Sequence, residues 1–346
     1  MKVFKLKNYM VAAVAALAIG GTTAASAATL KTVTFGTPNL NLPYLPIFVA
    51  DVMGYFEQNG IKPQFQTFKT GGSTAMAALI GGNIDIFPGS SSSALTAYEK
   101  GTGVVIAGAL VTQYTSVVVA RKSFMEKKGI TANSPLKKKM EALKGATIGV
   151  TSPGSGTDHL AHFLLKQAGL DPTRDVSMVY VGGAQAVVAA FARGRVDAII
   201  TSSPSTDEMI RDHDGVLMFN TAAGEIQELD GYPYITINTT KSWIDNKHAL
   251  AVATIKSIIE AEAALHDPKK QEQIREAVKK KYFPSLDAGI YRSAWKSVID
   301  AYPKNPRISD KQIKLAISFS NEYSEQKFPA SASKAFTNEL IDEAEK

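Results

Sequence analysis

The sequence contains no cysteine. This absence excludes disulfide bonds, thiolate metal sites and a cysteine nucleophile together. It also excludes the lipid anchor of a bacterial lipoprotein, because that anchor is attached to a cysteine at the cleavage point of the signal. The 45% share of hydrophobic residues supports globular packing throughout the chain instead.

A strong net charge is also lacking. The 38 basic residues exceed the 32 acidic ones by only six, and three of the lysines fall within the first seven residues. A balance this small does not indicate binding to nucleic acid. We interpret the one basic run, Lys137–Lys139, as a solvated helix face.

The patterns of common catalytic sites are missing as well. The sequence has no Walker P-loop, no G-x-S-x-G elbow and no H-E-x-x-H motif. After residue 27, every apolar run is interrupted by a charge, glycine or proline within about a dozen residues, which is too short to span a bilayer. The sequence therefore predicts a protein that is not an enzyme and has no stable membrane insertion.

The first residues have the pattern of a secretory signal. Three lysines precede an apolar run rich in alanine and glycine, and Ala25–Ala27 supplies the small residues that signal peptidase requires. We expect residues 1–27 to be removed, although a retained membrane anchor is the alternative. An exported chain without a lipid anchor would diffuse away unless an outer membrane retained it, so we expect the mature protein in the periplasm.

An internal repeat predicts the architecture. The first half alternates strand-like and helix-like segments in the order βαβαβ, and the same order returns in the second half. The segment GGSTAMAALIGGNIDI from Gly71 aligns with GGAQAVVAAFARGRVDAII from Gly182, with one residue inserted. In both copies Gly-Gly opens a helix, and an aspartate, Asp85 or Asp197, precedes an apolar strand. We expect an α/β protein of two Rossmann-like lobes with a cleft between them.

Two segments have the pattern of crossings between the lobes. Apolar pieces flank Gln113-Tyr114, and GYPYITINTT follows the second copy. We assign residues 28–112 and 236–346 to lobe one and residues 113–235 to lobe two. From Lys241 onward the pattern is helical, and we expect this tail to pack against lobe one.

Four strand-to-helix turns are rich in glycine, serine and threonine. In an open parallel sheet such turns lie beyond the carboxyl ends of the strands, where helix N-termini present unsatisfied N–H groups and favour negative charge. Any single turn is explained better by ordinary helix capping, so a ligand site requires that the four turns meet. A run of four serines exceeds what capping requires. The turns are Thr70–Thr74, Gly89–Ser93, Ser152–Thr157 and Gly182–Gln185.

Polar and aromatic residues also lie where the first helix should begin. Asn39, Asn41 and Tyr44 are candidates for the cleft, and a rigid proline-punctuated loop with Tyr44 packed inside is the alternative. Aromatic rings at the crossings can clamp a ligand as the lobes close, with buried packing as their alternative. These rings belong to Tyr114 and Tyr232, with Tyr234 ranked below them.

Charged and imidazole side chains near the turns have simpler explanations. Asp158, His159 and His162 share one predicted helix, but no third metal ligand is evident, so we expect no metal. Three cationic residues lie next to the predicted turns and crossings, where one of them could neutralise an anion. We favour the interpretation that they are solvent-exposed charges at strand ends. They are Lys69, Arg121 and Lys122.

Several segments together resemble a known family. They are the signal, PYLPIFVADVMGYFEQNGIKPQF, GGSTAMAALIGGNIDIFPGSSSSALTA and LKGATIGVTSPGSGTDHLAHFLLKQAGL, within residues 30–240. They resemble the solute-binding proteins of ABC importers that bind sulfonates, taurine, nitrate and thiamine-precursor pyrimidines. The resemblance implies a two-lobed periplasmic-binding-protein fold of type II, with two crossover strands and hinge closure on the ligand.

The resemblance implies that ligand contacts come from the turns described above. It favours residues of the first loop, of the serine-rich turns in lobe one and of the Ser152–Thr157 turn. At Thr201–Pro204, where such proteins often carry an aromatic or acidic residue before the proline, this chain has only small hydroxylated residues, so no acid is offered to a cationic ligand. The predicted ligand-binding residues are Asn39, Tyr44, Gly72, Ser73, Ser91, Ser92, Tyr114, Ser155, Gly156, Thr157, Gln185, Ser202 and Tyr232.

These observations predict a periplasmic solute-binding protein. We expect it to deliver a small organic anion, such as a sulfonate or carboxylate, to an ABC permease of the inner membrane. A neutral heteroaromatic ligand such as a thiamine-precursor pyrimidine is one alternative, and a periplasmic sensor subunit is another. Enzymes that make the thiamine precursor resemble this chain but carry a cysteine-rich motif that is absent here. We expect a monomer without cofactor.

Overall fold

The computed structural model describes residues 29–37, 40–323 and 327–346. The predicted signal, residues 1–27, and the predicted ligand residue Asn39 lie outside this part of the chain. Within it, no helix combines the length and the apolar character needed to cross a membrane.

The strands alternate with helices along most of the chain. The strands are β1 (Lys31–Thr37), β2 (Ile61–Thr67), β3 (Phe87–Ser90), β4 (Val104–Val111), β5 (Ser116–Arg121), β6 (Thr147–Val150), β7 (Ser177–Tyr180), β8 (Ala198–Ser202), β9 (Gly215–Phe219) and β10 (Ile235–Thr240). The helices up to β10 are α1 (Leu45–Val52), α2 (Tyr55–Gln58), α3 (Gly72–Ile80), α4 (Ser91–Glu99), α5 (Lys122–Lys127), α6 (Leu136–Glu141), α7 (Gly156–Gln167), α8 (Ala184–Ala192) and α9 (Ser205–Asp212). The tail contains α10 (Lys241–Asn246), α11 (His248–Leu265), α12 (Gln271–Tyr282), α13 (Ala288–Val298), α14 (Asp310–Tyr323) and α15 (Glu339–Ala344).

The strands of the two lobes have the same order and directions. Lobe one contains a two-stranded ladder, β2-β1, and a three-stranded ladder, β3-β10-β4. An isolated parallel bridge from Phe35 to Ile86 joins them in the order β2-β1-β3-β10-β4. In lobe two the order is β7-β6-β8-β5-β9. Strand β10 runs antiparallel to β3 and β4, and β5 runs antiparallel to β8 and β9. The two-lobed α/β fold expected from the repeat is confirmed.

The repeated aspartates have a structural role. Oδ2 of Asp85 accepts a hydrogen bond from the N–H of Thr34 at 2.8 Å, and Oδ2 of Asp197 accepts one from the N–H of Thr147 at 2.8 Å. Each carboxylate therefore binds the first strand of its own βαβαβ copy, β1 or β6, from the segment that leads into the third strand of that copy. This contact is common to the two copies and explains why the aspartate recurs.

The helical tail contacts both lobes, so the expectation that it packs on lobe one alone is incomplete. Helix α11 packs against α1 and α2 in lobe one, whereas α13 packs against α9 of lobe two. Arg211 Nη1 donates to Asp287 Oδ1 at 2.6 Å at that contact. Helix α14 lies between the lobes, packed on α4 and on α7.

One lysine of the basic run is buried, which corrects the interpretation of the run as a solvated helix face. Lys137 and Lys138 are exposed, but Lys139 is 1% exposed and pairs with Glu225. Its Nζ also donates to the carbonyl of Ala132 at 3.2 Å. A buried ammonium requires such partners because an unpaired buried charge is strongly unfavourable.

Candidate functional site

A cleft of about 520 Å³, measured with its open mouth, lies between the two lobes. Both sheets point the carboxyl ends of their parallel strands at it, as the fold requires of a ligand site. The residues that line it are Asn41, Pro43, Tyr44, Gly72, Phe87, Gly89, Ser90, Ser93, Ser116, Thr151, Ser155, Gly156, Thr157, Thr201, Ser202, Tyr234 and Ile235. None of these side chains is a carboxylate, an ammonium, a guanidinium or an imidazole.

The N-terminus of α7 forms the lobe-two wall of the cleft. Ser155 is its N-cap, and Ser155 Oγ accepts a hydrogen bond from the N–H of Asp158 at 3.3 Å. Gly156 and Thr157 follow on the cleft surface, where the first N–H groups of a helix have no acceptor within the helix. The positive end of the helix dipole therefore faces the cleft.

The N-terminus of α4 forms the lobe-one wall. Ser90 Oγ accepts a hydrogen bond from the N–H of Ser93 at 3.3 Å, and both side chains line the cleft. Ser91 and Ser92 are fully buried and do not line it, which corrects their predicted place. A helix turns by about 100° per residue, so positions three apart share a face while the two between them point elsewhere.

Three hydroxyl groups form the floor of the cleft. Ser116 Oγ lies 2.8 Å from Ser202 Oγ and 2.6 Å from the hydroxyl of Tyr234. Three hydroxyls carry three hydrogens, and their two mutual bonds use two of them, so one O–H remains for a ligand. Burial raises the pKa of Tyr234 to about 12, which keeps its phenol protonated and able to donate.

The hydroxyls of lobe two are bonded to one another. Thr151 Oγ1 donates to Ser155 Oγ at 3.0 Å, Ser155 and Thr157 are 3.0 Å apart, and Thr157 and Thr151 are 2.9 Å apart. A ring of three hydroxyls satisfies all three of its hydrogens internally. The donors that this wall offers to a ligand are therefore its backbone N–H groups.

The crossing tyrosines lie behind the floor and not in the cleft, which corrects the prediction for Tyr114 and Tyr232. Both are fully buried. The Tyr114 ring stacks on Tyr234 with centroids 4.0 Å apart, and its hydroxyl donates to the carbonyl of Gly156 at 2.5 Å. The Tyr232 hydroxyl accepts from Ser91 Oγ at 3.0 Å. Tyr234, ranked below them from sequence, is the tyrosine of this group that reaches the cleft.

Two of the four predicted turns join the lobes to each other at the cleft mouth. The N–H of Gly183 donates to the carbonyl of Lys69 at 2.9 Å, and the N–H of Ser73 reaches Ser152 Oγ at 3.4 Å. Ser73 and Gln185 have exposed side chains that do not line the cleft, so their predicted place is also corrected. These turns use their donors for lobe contact because the backbones approach closely there. A Cβ on Gly71, at φ +106°, would lie 2.7 Å from Ser152 Oγ.

Six of the predicted residues do line the cleft: Tyr44, Gly72, Ser155, Gly156, Thr157 and Ser202. Prediction from sequence omitted Ser116 and Thr201, although both lie at a strand end next to a crossing or a turn. Ser202 was selected by its place in the Thr201–Pro204 segment of the resemblance. Ser116 lies at the amino end of β5, which runs antiparallel to β8, so the rule for the carboxyl ends of parallel strands does not select it.

The neighbouring charges have other partners. Arg121 Nη1 donates to the carbonyl of Phe191 at 2.7 Å, and Lys122 is exposed. His159 Nδ1 lies 2.7 Å from Ser92 Oγ. Within residues 29–37, 40–323 and 327–346, no group of three or more histidine, cysteine or carboxylate side chains is placed to hold a metal ion.

The model of the NMT1-like family matches residues 26–280. The chain belongs to the NMT1-like family. Its fold is that of the periplasmic nitrate-binding protein NrtA from Synechocystis, with a TM-score of 0.69 and 14% identity over 91% of this chain and 88% of that one. The alkanesulfonate-binding protein SsuA from Xanthomonas axonopodis, solved with bound MOPS, has a TM-score of 0.69 and 18% identity over 88% of this chain and 98% of that one.

Two further similar proteins are a longer chain and an enzyme. The bicarbonate transport ATP-binding protein CmpC of Synechocystis is 24% identical over 72% of this chain, and the match spans 38% of CmpC. The desulfurization enzyme DszB shares the fold at a TM-score of 0.61 and 13% identity, over 91% of this chain and 98% of that one. Likeness at these identities establishes the fold, and the function has to be argued from the cleft.

Ser202→Ala is expected to weaken ligand binding about five-fold, with little change in melting temperature. The variant removes one floor hydroxyl from the cleft, and one net hydrogen bond contributes about 1 kcal/mol. Isothermal titration calorimetry measures the affinity. The matched control is Ser203→Ala, because Ser203 Oγ bonds Thr206 and Ser297 and does not line the cleft. Equal losses in both variants would contradict the placement of Ser202.

Proposed function

We propose that this protein is the periplasmic solute-binding component of an ABC importer and that its ligand is a small organic anion such as a sulfonate or carboxylate. One observation carries the proposal. Among the described residues, none that lines the cleft between the lobes has a charged side chain, and the lining consists largely of hydroxyl groups and of the N-termini of α4 and α7. An anion is the ligand that such a surface binds best.

The cleft offers hydrogen-bond donors from its backbone and from its floor. The first N–H groups of α7 and one hydroxyl hydrogen of the floor are available to a ligand, whereas the lobe-two hydroxyls are satisfied within their ring. Oxygens of a sulfonate or carboxylate accept several such bonds at once. A cation would find no carboxylate among the lining residues.

The relatives support the same class. NrtA is a nitrate-binding protein, and SsuA is an alkanesulfonate-binding protein. We therefore extend anion binding to this chain, together with delivery to a permease and a location in the periplasm.

A binding role agrees better with the cleft than catalysis does. The lining residues include no aspartate, glutamate, histidine, lysine or cysteine, which are the groups that most often act as general acids, bases or nucleophiles. The shared fold of DszB does not outweigh this, because fold alone does not imply activity.

A neutral heteroaromatic ligand is the second candidate. Tyr44, Phe87 and Tyr234 place aromatic rings on the cleft surface, and rings of this kind stack on planar ligands. The hydroxyl groups can donate hydrogen bonds to the ring nitrogens and carbonyls of a pyrimidine as well as to an anion.

A thermal-shift screen of the purified protein distinguishes the two candidates. A ligand that binds only the folded state raises the melting temperature in a concentration-dependent way. Sulfonates, carboxylates and nitrate are expected to raise it, whereas cationic amines are not. Stabilisation by pyrimidines alone would favour the second candidate, and stabilisation by cationic amines alone would contradict both.

Lys69→Gln is expected to change the affinity for the anion found in that screen less than two-fold. Lys69 contributes its backbone carbonyl to the cleft mouth, but its side chain does not line the cleft. Raising the ionic strength should also have little effect, because no lysine, arginine or histidine is among the described residues that line the cleft. Titration calorimetry at two salt concentrations checks both statements, and a large loss in the variant would assign the charge partner to Lys69.

A further inference from the structure

A chain of hydrogen bonds runs from lobe two into the serine-rich turn of lobe one and back. It joins His159 Nδ1 to Ser92 Oγ at 2.7 Å and Ser92 Oγ to Ser90 Oγ at 3.3 Å. It continues from Ser90 Oγ to Ser93 Oγ at 2.7 Å and ends at the carbonyl of Gly154 at 2.6 Å. We call these groups the serine chain. Its first and last members belong to lobe two, and its three serines belong to lobe one.

The direction of the serine chain is fixed at two points. Ser93 Oγ donates to a carbonyl, which can only accept, and Ser92 Oγ donates to Ser90 Oγ. A serine hydroxyl carries one hydrogen. Ser93 has therefore no hydrogen left for Ser90, so Ser90 donates to Ser93. By the same count Ser92 keeps its hydrogen for Ser90 only where the imidazole donates from Nδ1.

The surroundings of His159 fit this role. Its side chain is 7% exposed, and its ring stacks on that of Tyr323 of α14 at a centroid distance of 4.4 Å. Burial lowers the pKa of His159 to about 3, so the ring is neutral and carries a hydrogen on one nitrogen only. A hydrogen on Nδ1 allows the ring to donate to Ser92 Oγ, 2.7 Å away.

We propose that His159 is a positioning residue that orients the serine chain, and that the run Ser90–Ser93 serves to hold the two lobes closed. The inference rests on the proposed function, because a closing contact has a role only in a protein whose lobes open and close around a ligand. Because the hydroxyl hydrogens of Ser90, Ser92 and Ser93 are directed along the serine chain, these serines donate towards lobe two and not to the ligand. This accounts for a run of serines longer than helix capping requires.

The test measures lobe closure without ligand. Because the chain has no cysteine, nitroxide labels can be attached at Lys62→Cys and Ser177→Cys, which are exposed on the outer strands β2 and β7 of the two lobes. Double electron–electron resonance then reports the distance between the lobes. His159→Leu is expected to lower the ratio of closed to open molecules about five-fold, the effect of one net hydrogen bond. His159→Asn places an amide donor near the position of Nδ1 and is expected to restore the ratio.

Matched variants separate orientation from general damage to the fold. Ser92→Ala interrupts the serine chain at the next group and should lower the ratio as His159→Leu does. His162→Leu is the same substitution on α7, but the side chain of His162 is partly exposed and does not belong to the serine chain. This variant should leave the ratio of closed to open molecules unchanged. A ratio unaltered by His159→Leu and by Ser92→Ala, or lost equally in His159→Asn, would overturn the proposal.

Nitrogen NMR tests the orientation without any change in the fold. The sequence has five histidines, and the one signal pair missing from His159→Asn belongs to His159. The wild-type pair should report a hydrogen on Nδ1, and a hydrogen on Nε2 would overturn the proposal. Ligand affinity is measured separately, so a protein that binds no anion but shows the expected distances would contradict the proposed function and leave the serine chain supported.

Discussion

Gly156→Ala is expected to bind ligand at least about ten-fold more weakly than the wild type, and Gly156→Val to lose binding almost completely. A Cβ at this position would lie 2.8 Å from Tyr234 Cε2 and 3.0 Å from both the Tyr234 hydroxyl and Ser90 Cβ. The residue therefore occupies the point where lobe two, lobe one and the return crossing meet. Neither Ser90 nor Tyr234 presents the end of a long flexible side chain at that contact, so the closed arrangement has to widen.

The expected defect is one of closure and not of folding. Gly156 is the first residue of α7 and does not have a positive φ, so alanine fits its backbone and, in a helix, is more favourable than glycine by about 0.5–1 kcal/mol. The melting temperature without ligand should stay the same or fall slightly. Small-angle scattering should show that the variant stays expanded when ligand is added, whereas the wild type contracts.

Gly81→Ala is the matched control, because Gly81 ends α3 with φ −76° and is exposed away from the cleft. It should bind ligand as the wild type does. Unchanged affinity in Gly156→Ala would contradict the close contact of the lobes at α7 and, with it, the position of the ligand site.

The fold was predictable because its signals are periodic. Gly-Gly turns, helix lengths and the aspartates at positions 85 and 197 recur at the same places in two copies, and the strands of the two lobes follow the same order. The strand-to-helix turns also predicted that helix N-termini would lie at the cleft. Six of the thirteen predicted ligand residues line the cleft, and all six lie in such a turn, at a strand end or at the start of the first helix.

The failures concern direction and distance, which a single sequence does not encode. Nothing in the run of serines indicates that positions 90 and 93 face the cleft while 91 and 92 turn towards Tyr232 and His159. Which of the three crossing tyrosines reaches the cleft depends on the packing of both lobes around α14, and the sequence does not show this packing. The burial of Lys139 depends on Glu225, a partner 86 residues away.

Glu262→Gln is expected to stabilise the protein at pH 7 by up to about 3 kcal/mol, the free energy needed to keep a carboxyl with an unfolded pKa of 4.5 protonated at that pH. Glu262 lies in α11 with an exposed fraction of 0%, and both of its carboxyl oxygens have no hydrogen-bond partner among the described residues. Burial raises its pKa well above the ordinary value of 4.5. The folded protein therefore keeps a proton that the unfolded chain releases.

The sign of the pH dependence follows from that difference. Below the unfolded pKa of about 4.5 both states are protonated, so the wild type suffers no ionisation penalty there. As the pH rises through the window above 4.5, the unfolded state loses its proton first and the free energy of unfolding falls. The advantage of Glu262→Gln should accordingly be large at pH 7 and absent at pH 4, as measured by urea unfolding at both values.

Glu260→Gln is the control on the same helix, because Glu260 Oε2 accepts a hydrogen bond from Asn59 Nδ2 at 2.8 Å. It should give no gain in stability at pH 7, since it weakens a satisfied contact. A gain of equal size at both pH values in Glu262→Gln would mean that packing, and not ionisation, explains the effect. A loss of stability at pH 7 would mean that the carboxylate has a partner in the folded protein, and Glu262 would then be a buried contact of α11 and not a cost to it.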